Sequence, residues 1–274
     1  MDHFGRADYK MSEEIKGRSH FLKKSVILSV IKFGSVKSFL YLCYMIKQDI
    51  NINQRFEYLE SLASMVISGI TPSLIVVGEG GLGKTHVITK CLNDSGLYES
   101  DFLFIKGYST ARGLYNTLYD NNGKVIIFDD CDSILEDKTA LNILKSALDS
   151  YETRRISWLS KMNKNDEYPN GFNFTGQIIF ISNKSKASID QAILSRSLVV
   201  DLSMTQDEKI ERMRFILPKI MPNYPMTLKE EVLNFLDQNK DCGNLTLRSL
   251  IMICKVRATN PHRWKDLALY LLKS

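Results

Sequence analysis

The chain has 274 residues, of which 44% are apolar and 24% charged, with a formal net charge of +5. This composition excludes a disordered chain, a collagen-like fibre and a disulfide-framework miniprotein, and leaves room for one large domain or two modest ones. The charge is uneven: residues 1–48 hold nine basic and four acidic side chains, and the remainder holds 27 of each. The excess lies at the N-terminal end, where a solvated helix face accounts for it and where a nucleic acid or acidic partner would also be received.

Residues 1–19 are polar and read as a loose arm without a secretory signal. The apolar region Phe21–Ile46 is broken by Lys23, Lys24, Lys32 and Lys37, so no membrane span is expected. Cys43, Cys91, Cys131, Cys242 and Cys254 are scattered, odd in number and without a C-x-x-C pair. They predict free thiols in a reducing cytoplasm, and no zinc site.

From His20 to Lys47 the apolar spacing is helical, with a break at Gly34-Ser35. The second of these helices is apolar around most of its circumference and must be buried, within the protein or against a partner. A third helix is expected over Gln54–Ser68, with Gly69 after it and Pro72 before the first strand. Strands and helices then alternate: strands at Leu74–Val77, Phe102–Ile105, Val125–Phe128, Gln177–Ile181 and Leu198–Leu202, helices at His86–Leu92, Ala111–Tyr119 and Thr139–Tyr151. The strands are apolar throughout, which predicts an α/β fold whose five-stranded parallel sheet is covered on both faces. Between the last helix and the fourth strand, Ile156–Trp158 and Phe172–Phe174 flank a polar stretch and predict a β-hairpin with a long tip carrying Lys161 and Lys164.

After Met204 the pattern is all-helical. Thr205–Glu208 and Thr227–Glu230 read as capping boxes, a third helix opens near Thr246, and a fourth opens with Asn260 as cap and Pro261 at its first position. The expected organisation is an N-terminal arm with helices over residues 1–52, an α/β core over 53–204 and a four-helix lid over 205–274.

The stretch between the first strand and its helix carries the chemistry. Gly78-Glu79-Gly80-Gly81-Leu82-Gly83-Lys84-Thr85 has the spacing G-x-x-x-x-G-K-[ST]. Its glycines let successive N–H groups turn toward one anion, and the following helix, with His86 in its first turn, adds N-terminal positive charge. Lys84 offers a mobile charge to the β- and γ-phosphates, and the Thr85 hydroxyl is a hard ligand for Mg²⁺. At the end of the third strand, Asp129 is placed to hold the metal and Asp130 to orient water.

At this point the chain resembles the AAA+ ATPases. Gly78–Thr85 matches their Walker A motif and Val125–Asp130 their Walker B. Asn183 matches sensor 1, Arg196 the arginine finger, and Arg248, in Leu245–Leu250, matches sensor 2 on the lid. The overall style is most similar to bacteriophage-encoded members. Asp129-Asp130 stands where most of the family has Asp-Glu, and Arg112, Arg154 and Arg155 compete with Arg196 for the finger role. The resemblance implies ATP and Mg²⁺ as ligands, catalytic roles for Lys84, Asp130, Asn183 and Arg196, and a homo-oligomeric ring, a hexamer in the family's usual form. No motif fixes the base, whose contacts are expected near Ile50–Phe56 and from the lid. Two substrate classes remain open, a nucleic acid or replication complex and a protein threaded past Tyr108, together with a slow ATP-dependent binding switch.

Overall fold

The apolar runs become the strands β1 (Ser73–Val77), β2 (Phe102–Lys106), β3 (Val125–Asp129), β6 (Gln177–Ile181) and β7 (Leu198–Asp201), with β4 (Arg154–Ser157) and β5 (Gly171–Phe174) as a separate antiparallel hairpin. These come from a computed structural model that describes residues 50–159 and 168–273. The expected N-terminal arm and helices, Cys43 and the hairpin tip with Lys161 and Lys164 lie outside the described residues. The sheet order is β2-β3-β6-β1-β7 and every pairing is parallel.

Side chains on successive residues leave a strand on opposite faces, and the core divides accordingly. Ile75, Val77, Ile126, Phe128, Ile178 and Phe180 face one layer, with α3 (Ala111–Asp120), α4 (Lys138–Ala147) and the hairpin. Leu74, Val76, Val125, Ile127, Ile179 and Ile181 face the other, with α1 (Ile52–Ile67) and α2 (Lys84–Asp94). β1 and β3 are buried at every position, whereas β2 and β7 are half-buried because they close the two edges of the sheet. Asn51 opens α1 with a capping box to Gln54, and Gly69 follows its end in the left-handed conformation.

The remaining helices, α6 (Gln206–Ile216), α7 (Met226–Gln238), α8 (Leu247–Thr259) and α9 (Trp264–Lys273), enclose an apolar core of their own around Met213, Leu236, Ile253 and Trp264. Lys229 is buried there and its ammonium donates to the carbonyls of Leu217 at 3.1 Å and Ile220 at 3.0 Å. Those are the free carbonyls after the end of α6, so a lysine serves as its C-terminal cap.

Most boundaries shift by one or two residues from the sequence expectation, and three of the differences have a physical cause. The box at Thr227 does not form: α7 begins at Met226, two residues before the start such a cap would give, its N-cap is Pro225, and no side chain caps it. Asn260 is the C-cap of α8, and Pro261–Arg263 form a turn before α9. Helix α4 stops at Ala147, four residues early, because the guanidinium of Arg154 takes the Ala147 carbonyl at 2.9 Å and starts the hairpin. A short helix, α5 (Gln191–Leu194), precedes Arg196 and carries too few residues to show a period.

Candidate functional site

The phosphate loop leaves β1 at Gly78, whose φ is +136°. A Cβ there would lie 2.9 Å from the carbonyl carbon of Leu202, so no side chain fits where the loop passes the end of β7. Lys84 opens α2 and is 5% exposed. Its ammonium donates to the carbonyls of Gly78 at 2.5 Å and Glu79 at 2.8 Å, and to Asn183 Oδ1 at 2.9 Å. Burial lowers its pKa from the ordinary lysine value, while the carboxylates of Asp130, Asp129 and Asp132 oppose that shift.

Next to Lys84, the Thr85 hydroxyl donates to the Asp129 carboxylate at 3.1 Å. Asp129 is 4% exposed and ends β3, directly across the sheet from Ile181. Asp130 follows with φ +57°, a left-handed conformation that aspartate tolerates better than most residues. Asn183 then donates from Nδ2 to Asp130 Oδ1 at 2.7 Å. Ser182 anchors the same corner, donating from its hydroxyl to Asp132 Oδ1 at 2.6 Å. Lys84, Asn183 and Asp130 therefore form one hydrogen-bonded chain, and the Thr85–Asp129 pair lies next to it, at the C-terminal ends of β1, β3 and β6, where open α/β sheets hold ligands. His86 is exposed in the first turn of α2. Cys131 packs beneath the cluster, and burial pushes its thiol up to about 11, so it stays protonated and inert.

The helices after residue 205 reach over the loop. The Leu247 N–H donates to the Gly81 carbonyl at 3.0 Å, which seats the start of α8 on the loop. Gly81 has φ +75°, and a Cβ on it would meet Thr246 Cβ at 3.3 Å and Arg248 Cδ at 3.4 Å. Arg248 is exposed at that contact, within electrostatic reach of Lys84. From α6, Lys209 donates to Glu79 Oε2 at 2.6 Å, and the hydrogen bond and charge of Lys209 hold the Glu79 carboxyl below the usual range. Arg55 of α1 donates to the Ser203 carbonyl at 2.7 Å and pairs with Glu208.

Arg196 does not join this cluster. Its guanidinium donates to the Ala192 carbonyl at 3.0 Å, and its Nε is buried without a partner. The competing arginines have other engagements. Arg154 donates to the carbonyls of Ala147 and Gly176, both at 2.9 Å, and Arg112 lies over the rings of Trp158 at 5.5 Å and Tyr168 at 5.7 Å. Arg155 is an exposed strand residue. Ile52 and Phe56, in the stretch expected to contact the base, are buried in α1. Tyr108 stands in the loop after β2 with 81% of its surface exposed.

Four contributors escaped the sequence reading. Lys209, Asn244 and Ser182 carry no spacing signal. Lys106 does carry one. Its run Phe102–Ile105 and the run Val125–Phe128 are four apolar residues each, and in register Lys106 pairs with Asp129. Its ammonium lies 3.2 Å from Asp129 Oδ2. A hydroxyl and a carboxylate are hard oxygen donors suited to Mg²⁺, which keeps most of its shell for phosphate oxygens and water. Among the described residues no group of three or more His, Cys, Asp or Glu is placed to hold a metal ion.

Comparison with known proteins agrees with this architecture. No family model matches the chain. Among solved structures it is similar to a point mutant of RuvB from Thermotoga maritima, with TM-score 0.51 and 14% identity over 81% of this chain and 69% of that one. It is similar to the AAA domain of FIGL-1, with TM-score 0.51 and 11% identity over 79% of each chain. Domain III of the replication initiation protein DnaA from Thermotoga maritima gives TM-score 0.50 and 18% identity over 82% of this chain and 94% of that one. In sequence, the chain is 30% identical over 240 residues to an uncharacterized 36.7 kDa protein from the nrdC-mobD intergenic region of Enterobacteria phage T4, covering 79% of this chain and 73% of that protein. The chain belongs to one family with that phage protein, and its fold is that of the AAA+ ATPases.

Proposed function

We propose that the protein binds ATP with Mg²⁺ on the Gly78–Thr85 loop and hydrolyses it at the interface between its own copies, to move or remodel a macromolecule. One observation carries the reading: hydrogen bonds chain Lys84 to Asn183 and Asn183 to Asp130, and the Thr85–Asp129 pair lies beside them at the same corner of the sheet, with Arg248 over the loop. In this reading the loop N–H groups and Lys84 bind the β- and γ-phosphates, and Thr85 and Asp129 hold the metal, which neutralises phosphate charge. Asp130 accepts the proton of the attacking water while Asn183 fixes that carboxylate. The water oxygen bonds to the γ-phosphorus as the bond to the leaving ADP oxygen breaks. Arg248 steadies the phosphate chain from the lid.

Arg196 stands apart from the cluster of its own subunit, which supports a role toward the nucleotide of a neighbour. That makes the working unit an oligomer, with a hexameric ring as the proposed form. The basic excess of residues 1–48 and the Asp-Asp pair favour a nucleic acid or replication complex as the substrate. The exposure of Tyr108 favours a second reading, in which the moved substrate is a protein chain.

Phosphate release by the full chain, alone, with DNA and with an unfolded protein, tests both. We expect turnover that DNA stimulates and that Asp130→Asn lowers by about a hundredfold or more. Stimulation by the unfolded protein alone selects the second reading. An absence of phosphate release under all three conditions, with Asp130→Asn indistinguishable from the parent, ends the hydrolysis proposal.

A further inference from the structure

Glu79 is the second residue of the phosphate loop. A carboxylate there is out of keeping with a loop that holds a polyanion, because like charges at short range repel. The structure answers it with a buried cation. Lys209 of α6 is 3% exposed, and its ammonium donates to Glu79 Oε2 at 2.6 Å and to Asn244 Oδ1 at 2.5 Å. Lysine is among the residues least often fully buried, and a buried ammonium needs partners of this kind. The pairing crosses from the helices after residue 205 to the loop. It is accompanied by the Leu247 N–H on the Gly81 carbonyl and the Arg55–Glu208 pair, so α6 and α8 are seated together.

We infer that Lys209 is a positioning residue which neutralises Glu79 only while α6 is seated on the loop, so that the seating of α6 sets the affinity of the loop for a phosphate chain. The inference rests on the nucleotide reading above and adds how that site is regulated. With α6 seated, the Glu79–Lys209 pair carries no net charge and Lys84 acts on the phosphates unopposed. With α6 displaced, Glu79 keeps its negative charge on the loop. The repulsion then grows with the number of phosphate charges, which turns a rigid-body movement into a drop in affinity that is steepest for the triphosphate.

The test is a set of titrations of ATP, ADP and AMP against the full chain and three variants. Lys209→Met is expected to weaken ATP about tenfold, ADP less and AMP least. Glu79→Gln binds ATP at least as tightly as the parent. The double variant Glu79→Gln/Lys209→Met removes both charges, leaves neither partner buried and unpaired, and recovers ATP affinity to within about threefold. A loss that is equal for the three nucleotides, a double variant no better than Lys209→Met, or unchanged ATP affinity in Lys209→Met each overturns the inference. A parent chain that binds ATP no better than AMP is a different failure, because it removes the nucleotide reading itself.

Discussion

At Asp129 the chain places an ammonium beside the carboxylate proposed to hold a metal. Lys106 is mostly exposed, so its pairing with Asp129 is itself weak, but a divalent cation drawn to Asp129 and Thr85 must displace it or repel it. Lys106→Met is expected to tighten Mn²⁺ binding in the presence of ADP by about three- to tenfold, read by electron paramagnetic resonance of the free ion. Unchanged or weaker binding would show that Lys106 stands clear of the metal. Lys84 leads to a pH effect. Burial sets its pKa below the ordinary 10.5, so the bound and free forms of the protein differ in protonation on the alkaline side. Phosphate oxygens stabilise the ammonium, so nucleotide binding takes up protons once pH rises past the lowered value of the free protein, and affinity falls as pH rises further. Calorimetry in two buffers of different ionisation heat measures the uptake, and its absence there contradicts the assignment. Lys84, Thr85, Asp129 and Asp130 could be singled out in the sequence because their positions follow from strand ends and a spaced motif, and Asn183 through the resemblance to the AAA+ ATPases. Lys209 could not be, because its partner Glu79 lies 130 positions away and no local pattern links them.

Among the elements, two look-alike sequences behave differently. Thr205 and Thr227 each precede a glutamate by three residues, yet only Thr205 accepts from the Glu208 N–H while Glu208 returns a bond to the Thr205 N–H. Thr227 is already inside α7, behind Pro225, whose fixed φ suits a helix entrance. Thr205→Ala is therefore expected to cost about 1 kcal/mol of stability, and Thr227→Ala a few tenths at most. Urea unfolding separates the two, and equal costs would show that Thr227 caps after all. The same reasoning explains which boundaries could be read in advance. Buried strands announce themselves by unbroken apolar runs, and β6 falls where the run falls, at Gln177–Ile181. Helix ends are decided by competition for carbonyls, as when Arg154 takes that of Ala147 and ends α4, and such a competitor is invisible to periodicity.

For the whole molecule, the fold class follows from alternating strands and helices, whereas the substrate and the neighbour leave no comparable mark in one chain. The assembly proposal has its own test. Lys84→Ala removes the phosphate-binding charge and Arg196→Ala the group offered to a neighbour, so each alone should be nearly inactive. Mixed, they form some interfaces with Lys84 from one copy and Arg196 from the other, and phosphate release should recover to a measurable fraction of the parent rate. No recovery on mixing would place Arg196 in its own subunit's chemistry or outside the chemistry altogether. The strand order has a consequence for synthesis as well. β1, which delivers the phosphate loop, pairs with β6 and β7, and β6 lies about a hundred residues downstream. On the ribosome, β1 waits unpaired until about two-thirds of the chain has emerged, its apolar edges exposed to whatever is near. A chain ending at residue 150 keeps Gly78–Thr85, Asp129 and Asp130, but it should neither melt cooperatively nor bind nucleotide. The sheet corner that carries the loop is thus completed late in synthesis, and until then no downstream strand of this chain shields the edges of β1.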